Sequence, residues 1–189
     1  MNQKNPFLFS CHDLPRRAGE MREYELTFDD HEPIGVPLLA VPSDGAIYVD
    51  LRIEAVAQGV LATGQVSADA IGECTRCLDP VTFDIDETFQ ELFHYEVDYR
   101  QKPKGKEAKE VEVGDEDELL EMEGDFINLD GPIRDALVLN LPVNPLCSED
   151  CEGLCPTCGV KWATLPDDHA HGAADIRWAG LSDWKGPNS

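Results

Sequence analysis

Four cysteines crowd into twelve residues of this chain, in the run Cys147-Ser-Glu-Asp-Cys151-Glu-Gly-Leu-Cys155-Pro-Thr-Cys158-Gly159, and a separate pair, Cys74-Thr-Arg-Cys77, stands far upstream. Cysteines used only as apolar packing would not gather beside Glu149, Asp150 and Glu152. Zinc takes four thiolate or imidazole ligands in a tetrahedron, and a Cys-x-x-Cys turn aims two sulfurs at one ion. Cys155-Pro-Thr-Cys158-Gly159 has the composition of such a knuckle, with a glycine free to turn the backbone around the metal. The candidate ligands are therefore Cys74, Cys77, Cys147, Cys151, Cys155 and Cys158, for one or two structural zinc ions.

Six ligands exceed one tetrahedron, and three partitions compete. Cys74 and Cys77 can share an ion with Cys155 and Cys158. They can instead share it with Cys147 and Cys151, leaving the last knuckle to His169 and His171. Or the four C-terminal cysteines close a site alone. The spacing from Cys158 to His169 and His171 is loose, so an exposed polar loop is the preferred reading of that pair. Cys11 has no cysteine near it in sequence and reads as a small buried or free thiol. His12, His31 and His94 are scattered and read as structural.

The compartment bears on the chemistry of the thiols. The N-terminus lacks the apolar run and small-residue cleavage site of a signal peptide, and no stretch reaches the ~18 apolar residues of a membrane span. A cytoplasmic protein is expected, where thiols stay reduced and seven cysteines point to metal or redox chemistry before disulfides. The 15 basic and 38 acidic residues give a formal charge of -23. Such a surface repels nucleic-acid phosphates and anionic membranes unless positive charge is concentrated locally, and it suits basic partners.

The clearest periodicity in the chain has period two. Ile47, Val49, Leu51, Ile53 and Ala55 alternate with Tyr48, Asp50, Arg52, Glu54 and Val56, as in a half-buried strand. Gln58-Gly59 turns into a second strand over 60–72, and Val81, Phe83 and Ile85 begin a third that ends at Phe89. These make an antiparallel meander with Cys74 and Cys77 at its second connection. Residues 20–28 predict another strand, 6–19 a short helix or extended segment, and Pro33, Pro37 and Pro42 a loop. Residues 96–124 read as a charged, flexible insertion that returns to the sheet near 126–129. Asp130 can cap a helix that ends near Pro142, and Asp175 a final helix over 176–184. The fold class expected is α+β: an antiparallel β-meander with a few short helices, one domain over 1–189, and a cysteine-rich zinc-binding segment over 145–189.

Catalysis finds little support. The chain has no glycine-rich phosphate loop, nucleophile elbow or His-Glu-x-x-His motif. A four-thiolate zinc site leaves no open coordination position. No small-molecule substrate and no membrane partner are expected.

The order of these features resembles the YceD family, the large ribosomal RNA subunit accumulation proteins. The resemblance rests on Cys74-Thr-Arg-Cys77 between strands, an acidic insertion, the run Leu129-Asp-Gly-Pro-Ile-Arg-Asp-Ala-Leu-Val-Leu-Asn-Leu-Pro-Val-Asn-Pro-Leu-Cys147, the four-cysteine cluster, and Asp175-Ile-Arg-Trp-Ala-Gly-Leu181. The six-cysteine pattern is similar to the actinobacterial form. The resemblance implies a non-catalytic bacterial factor needed for 23S rRNA accumulation and large-subunit biogenesis. The net charge then favours a basic ribosomal protein or assembly factor as partner, with rRNA contact indirect unless Arg16, Arg17, Arg22 or the basic patch at 100–109 faces the RNA. Two other functions fit the residues: a thiol-disulfide or redox-sensing protein using Cys74 and Cys77, and a zinc-dependent RNA-binding module.

Overall fold

The computed structural model describes residues 5–95 and 119–171. The predicted meander forms its centre. Strands β1 (Leu8–Ser10), β2 (Met21–Phe28), β3 (Ile34–Val36), β4 (Leu39–Val41), β5 (Ile47–Val56), β6 (Gly59–Glu73) and β7 (Pro80–His94) follow in order. Then come β8 (Phe126–Asn128) and one α-helix, α1 (Asp130–Leu139). The architecture is mostly antiparallel sheet, and the few short helices expected reduce, among the described residues, to α1 and a 3-10 turn at Trp162–Thr164.

β6 organises the sheet. β7 pairs with it along its whole length, from Gly59↔His94 to Glu73↔Pro80. Its other side is shared by β5, from Val56↔Gly59 to Ile47↔Ala68, and by β4, at Ala40↔Ile71 and Leu39↔Gly72. β2 extends the sheet beyond β5. The third strand of the meander therefore runs past Phe89 to His94. Two short strands, β3 and β4, occupy the segment expected to be a loop. Their prolines stand just outside them, at Pro33, Pro37 and Pro42, where a missing N–H costs no ladder bond.

The alternation in β5 sorts the two faces. Ile47, Val49, Leu51, Ile53 and Ala55 are buried and join Val60, Ala62, Val66, Ala68 and Ala70 of β6 and Ile85, Phe89 and Phe93 of β7. α1 lies on this inner face through Pro132, Ile133, Ala136 and Leu137. The small residues of β6 make room for larger neighbours. Phe89 stands opposite Gly64 in the register, and its ring occupies the place a Cβ on Gly64 would take. β1 and β8 form a separate two-stranded pair, while the chain just before β8 meets the main sheet at the end of β7. There Glu121 bridges His94 and Met122 is buried, so these residues of the insertion expected over 96–124 belong to the packed fold. Phe7 packs on Phe28 and Phe9 on Tyr24, which fastens the β1–β8 pair to β2.

The helix cap differs from the expected one. Asp130 is the first helical residue, and its N–H donates to the Asn128 side-chain oxygen at 3.0 Å. Asn128 thus does the capping, and Asp130 turns to Arg134 one turn on, at 3.2 Å. The helix stops at Leu139, before Pro142, whose ring cannot continue it. The helix expected over 176–184 and most of the insertion expected over 96–124 lie outside the described residues. Among the described residues, no helix is long and apolar enough to cross a membrane.

Among the described residues, the outer face of the sheet is predominantly acidic. β2 presents Glu23 and Glu25, β5 Asp50 and Glu54, β6 Asp69 and Glu73, and β7 Asp84 and Asp86, against a single Arg52. Glu25 stands directly opposite Asp50, and Asp69 opposite Asp84. Like charges so placed cost stability. Among the described residues no cation comes within 4.0 Å of these carboxylates. Tyr48 and Ile71 stand exposed among them.

Cys11 is buried in the core, as its isolation in sequence suggested. Burial, and after it the charge of Asp125, pushes its thiol up from 9.0 to about 11. Above pH 9 the unfolded chain ionises this thiol while the folded chain keeps it protonated. Its contribution to stability is therefore complete below 9 and is lost as pH climbs toward 11. Urea unfolding should show a loss of stability on going from roughly pH 8 to pH 10 that is smaller in Cys11→Ala; equal losses in both proteins would contradict the buried neutral thiol.

Candidate metal centres

The turn between β6 and β7 is built as a metal knuckle. The Leu78 N–H donates to the Cys74 carbonyl at 2.9 Å, and the Cys74 N–H to the Asp79 carbonyl at 2.7 Å. The second knuckle repeats this pattern. The Gly159 N–H donates to the Cys155 carbonyl at 2.8 Å, and the Cys155 N–H to the Val160 carbonyl at 2.8 Å. The residue after the second cysteine is left-handed in both, Gly159 with φ 71° and Leu78 with φ 62°. Only the first uses a side-chain-bearing residue there, and Leu78 is the sole non-glycine residue with positive φ among those described.

The segment before the second knuckle folds back over the first. The Thr75 N–H donates to the Pro145 carbonyl at 2.9 Å, and Arg76 donates through Nη1 to the Cys151 carbonyl at 2.8 Å. Gly153, with φ 78°, lies so close to Arg76 that a Cβ there would meet the Arg76 carbonyl oxygen at 3.0 Å. Lys161 closes the arrangement by pairing with Asp79. The Asp79 carboxyl is held below its ordinary value by that bond, and the Lys161 ammonium is held above its own by the same partner.

Two groups of ligand atoms result. The sulfurs of Cys74, Cys77, Cys147 and Cys151 lie within 4.8 Å of one another, with Cys77 to Cys147 at 3.5 Å and Cys74 to Cys151 at 3.8 Å. A disulfide needs about 2.05 Å, so none of these is one. A Zn–S bond of about 2.3 Å sets the sulfurs of a regular tetrahedron about 3.8 Å apart, and the donor set fits that ion. Cys74 and Cys77 are buried, Cys151 half-buried and Cys147 exposed. The second group is Cys155, Cys158, His169 and His171. Either group can hold a metal ion.

The grouping of candidate ligand atoms corresponds to the second of the three partitions the sequence allowed. Cys74 and Cys77 meet Cys147 and Cys151, while Cys155 and Cys158 are kept apart from them. The histidines are the correction: His169 and His171 are gathered against the last knuckle and not spread in a polar loop. Their spacing from Cys158 is loose, and for that reason the sequence underweights them. The signal that could have found them is the His-x-His motif following a Cys-x-x-Cys-Gly turn. Asp79 and Lys161, which pair across the two segments, carry no motif, and Arg76 is a variable position inside the Cys-x-x-Cys turn. The remaining histidines read as structural in sequence. Buried His31 sets its ring nitrogens against the carbonyls of Glu32 and Gly45 at 2.8 and 2.9 Å.

The first group cannot ionise fully by itself. Burial opposes ionisation of the Cys74 thiol, but the N–H groups of Cys77, Cys147 and Arg76 outweigh it and bring it down to about 6. The Cys151 thiol moves up through burial. The Asp79 N–H pulls Cys77 down and Cys77 pulls Cys147 down, yet burial and the other sulfurs leave both raised. One thiolate forms readily and its neighbours resist, which is the condition a divalent cation relieves. Lys161 and Arg76 stand beside the cluster, suited to the net negative charge of a divalent ion with four thiolates. At the second knuckle the Cys158 N–H acts first, against burial, with help from the Thr157 N–H and His169, and lowers the Cys155 thiol to about 6.

Leu78 holds a conformation that costs a side-chain-bearing residue about 1 kcal/mol, and its side chain is exposed. Leu78→Gly should therefore raise the unfolding free energy by about 1 kcal/mol with the metal content unchanged, read from urea midpoints and elemental analysis. A destabilised variant would contradict the assignment of strain to this turn.

Comparison with known proteins bears on the whole chain. The family profile described as "Large ribosomal RNA subunit accumulation protein YceD" matches residues 62–185. An uncharacterized protein of Mycobacterium bovis is 39% identical over 185 residues, covering 98% of this chain and 84% of the relative, and one of Mycobacterium tuberculosis matches to the same extent. An uncharacterized protein of Mycobacterium leprae is 33% identical over 184 residues, covering 97% of this chain and 80% of the relative. No solved structure matches. The matched span takes in β7, α1 and both knuckles, and the chain belongs to the YceD family of large ribosomal RNA subunit accumulation proteins.

Proposed function

We propose that this protein is a non-catalytic cytoplasmic factor supporting 23S rRNA accumulation and large-subunit biogenesis, stabilised by zinc at Cys74, Cys77, Cys147 and Cys151, and acting on a basic protein partner. Family membership carries the link to rRNA. Zinc is the metal the donor set suits, since four thiolates in a tetrahedron select zinc or iron–sulfur chemistry over calcium or magnesium. Four such ligands would fill the coordination sphere and leave no position for water or substrate, which favours a structural role.

The outer face of the sheet supports the basic partner. It sets eight carboxylates against one arginine, and keeps two like-charged pairs in direct opposition at a cost in stability. A lysine- and arginine-rich segment laid across it would relieve that repulsion, with Tyr48 and Ile71 offering apolar contact. Direct rRNA binding has less support among the described residues. Arg16 is engaged with Asp125 at 2.7 Å and stacks on the Tyr95 ring, and the basic patch at 100–109 lies outside the described residues. The redox alternative asks for an accessible thiolate, whereas Cys74 has no exposed surface.

Depletion of the protein in its native bacterium should lower the ratio of large-subunit to small-subunit rRNA, and the wild-type gene should restore it. An unchanged ratio would refute the functional reading. For the partner, binding of a lysine-rich peptide should weaken steeply with salt and fall about tenfold or more in Asp69→Asn/Asp84→Asn, while that variant unfolds at higher urea than wild type. Peptide affinity unaffected by the double substitution would remove the face from the account.

A further inference from the structure

The last knuckle and the two histidines after it form a cluster that the structural-zinc reading above does not use. Cys155 Sγ lies 3.1 Å from His171 Nε2, Cys158 Sγ lies 3.6 Å from His169 Nε2, and the two Nε2 atoms are 2.9 Å apart. A tetrahedral zinc ion would set sulfur–nitrogen and nitrogen–nitrogen edges at roughly 3.3 to 3.6 Å. The observed distances lie near those values, and each residue contributes one ligand atom to the group. Neutral imidazoles 2.9 Å apart at Nε2 gain at most one hydrogen bond, and the His169 and His171 rings meet edge to face at 4.5 Å, with no stacking between them.

The local fold is shaped to present these atoms. The His169 N–H donates to the Pro166 carbonyl at 2.9 Å, turning the chain back toward the knuckle. The 3-10 turn at Trp162–Thr164 lies between, and the Trp162 ring packs edge-on against His169 with centroids 5.6 Å apart. Both imidazoles point inward through Nε2, so a metal bound there would leave Nδ1 to carry the proton.

We propose that Cys155, Cys158, His169 and His171 bind a second zinc ion, separate from the four-cysteine centre and more readily exchanged. Two features make the centres unequal. All four ligands of the second come from one stretch, 155–171, whereas the first joins the β6–β7 turn to a segment about seventy residues later. The second is also the more open: Cys158 and His171 are exposed and His169 is half-buried, while Cys74 and Cys77 of the first are both buried. Two thiolates and two neutral imidazoles neutralise a divalent ion, so this centre needs no flanking cations. Metal loss there would free the loop at 159–171 and leave the clamp on the β6–β7 turn in place.

Native mass spectrometry of anaerobically purified protein should find two zinc ions in the wild type and one in His169→Ala/His171→Ala and in Cys155→Ser/Cys158→Ser. The circular dichroism of the sheet should be preserved in all three. Cobalt titration should give an all-sulfur spectrum for one equivalent and a mixed sulfur–nitrogen spectrum for the other, the second absent from the histidine variant. A colorimetric chelator should remove one ion faster than the other, and the histidine variant should lack the fast phase. Two ions retained by the histidine variant, or a fast phase that survives in it, would overturn the proposal. One ion in the wild type with an all-sulfur spectrum would overturn it while leaving the four-cysteine reading intact. No bound metal in any form would overturn both.

Discussion

Four sulfur atoms from two distant parts of the chain meet within 4.8 Å, where the segment at 145–153 folds back on the β6–β7 turn. Thiols gain little from being crowded together, and thiolates repel. The backbone nevertheless commits several hydrogen bonds to holding them there, from Thr75 to Pro145, from Arg76 to Cys151 and within the knuckle itself. A cation at the centre turns this arrangement from unfavourable to stabilising, because it draws on all four sulfurs at once and lowers the cost of ionising them. The strain at Leu78 is the local cost of closing the first knuckle with a residue other than glycine.

The position of that centre matters for the sheet. β6 and β7 are both long, at 15 residues each, and they end at the metal knuckle. A metal clamp there would hold together the end of the sheet that displays Asp69 and Asp84 in opposition. Inner and outer faces thus differ. The inner one is closed by α1 and the aromatic residues of β7, and the outer one is acidic, with no cation among the described residues paired to its carboxylates. A chain selected only for stability would have paired those carboxylates with lysine or arginine across the strands.

Much of this could be read from the residues in order. The alternation from Ile47 to Val56 fixed one strand face almost residue by residue, because a half-buried strand has no other pattern to show. The Cys-x-x-Cys turns located both knuckles, since that spacing presents two sulfurs to one point. β3 and β4 were hidden because three-residue strands among prolines carry no periodicity, and they exist by virtue of their neighbours. The Asn128 cap was masked by an aspartate two residues on with an equally good capping side chain. Which cysteines meet could be narrowed by sequence to three groupings and no further: the choice follows from where segment 145–153 crosses the sheet end, set by contacts of Arg76, Gly153 and Lys161 that spacing alone does not reveal.

Hydrogen exchange followed by mass spectrometry, before and after removal of metal from reduced protein, tests the clamp most directly. The account predicts that protection collapses at residues 74–79 and from 145 onward, while the paired strands between Ile47 and Phe89 keep their slow exchange away from the knuckle. Unchanged protection over 145–158 after complete metal removal would show that the tail is held by something other than a shared ion, and would contradict the central claim.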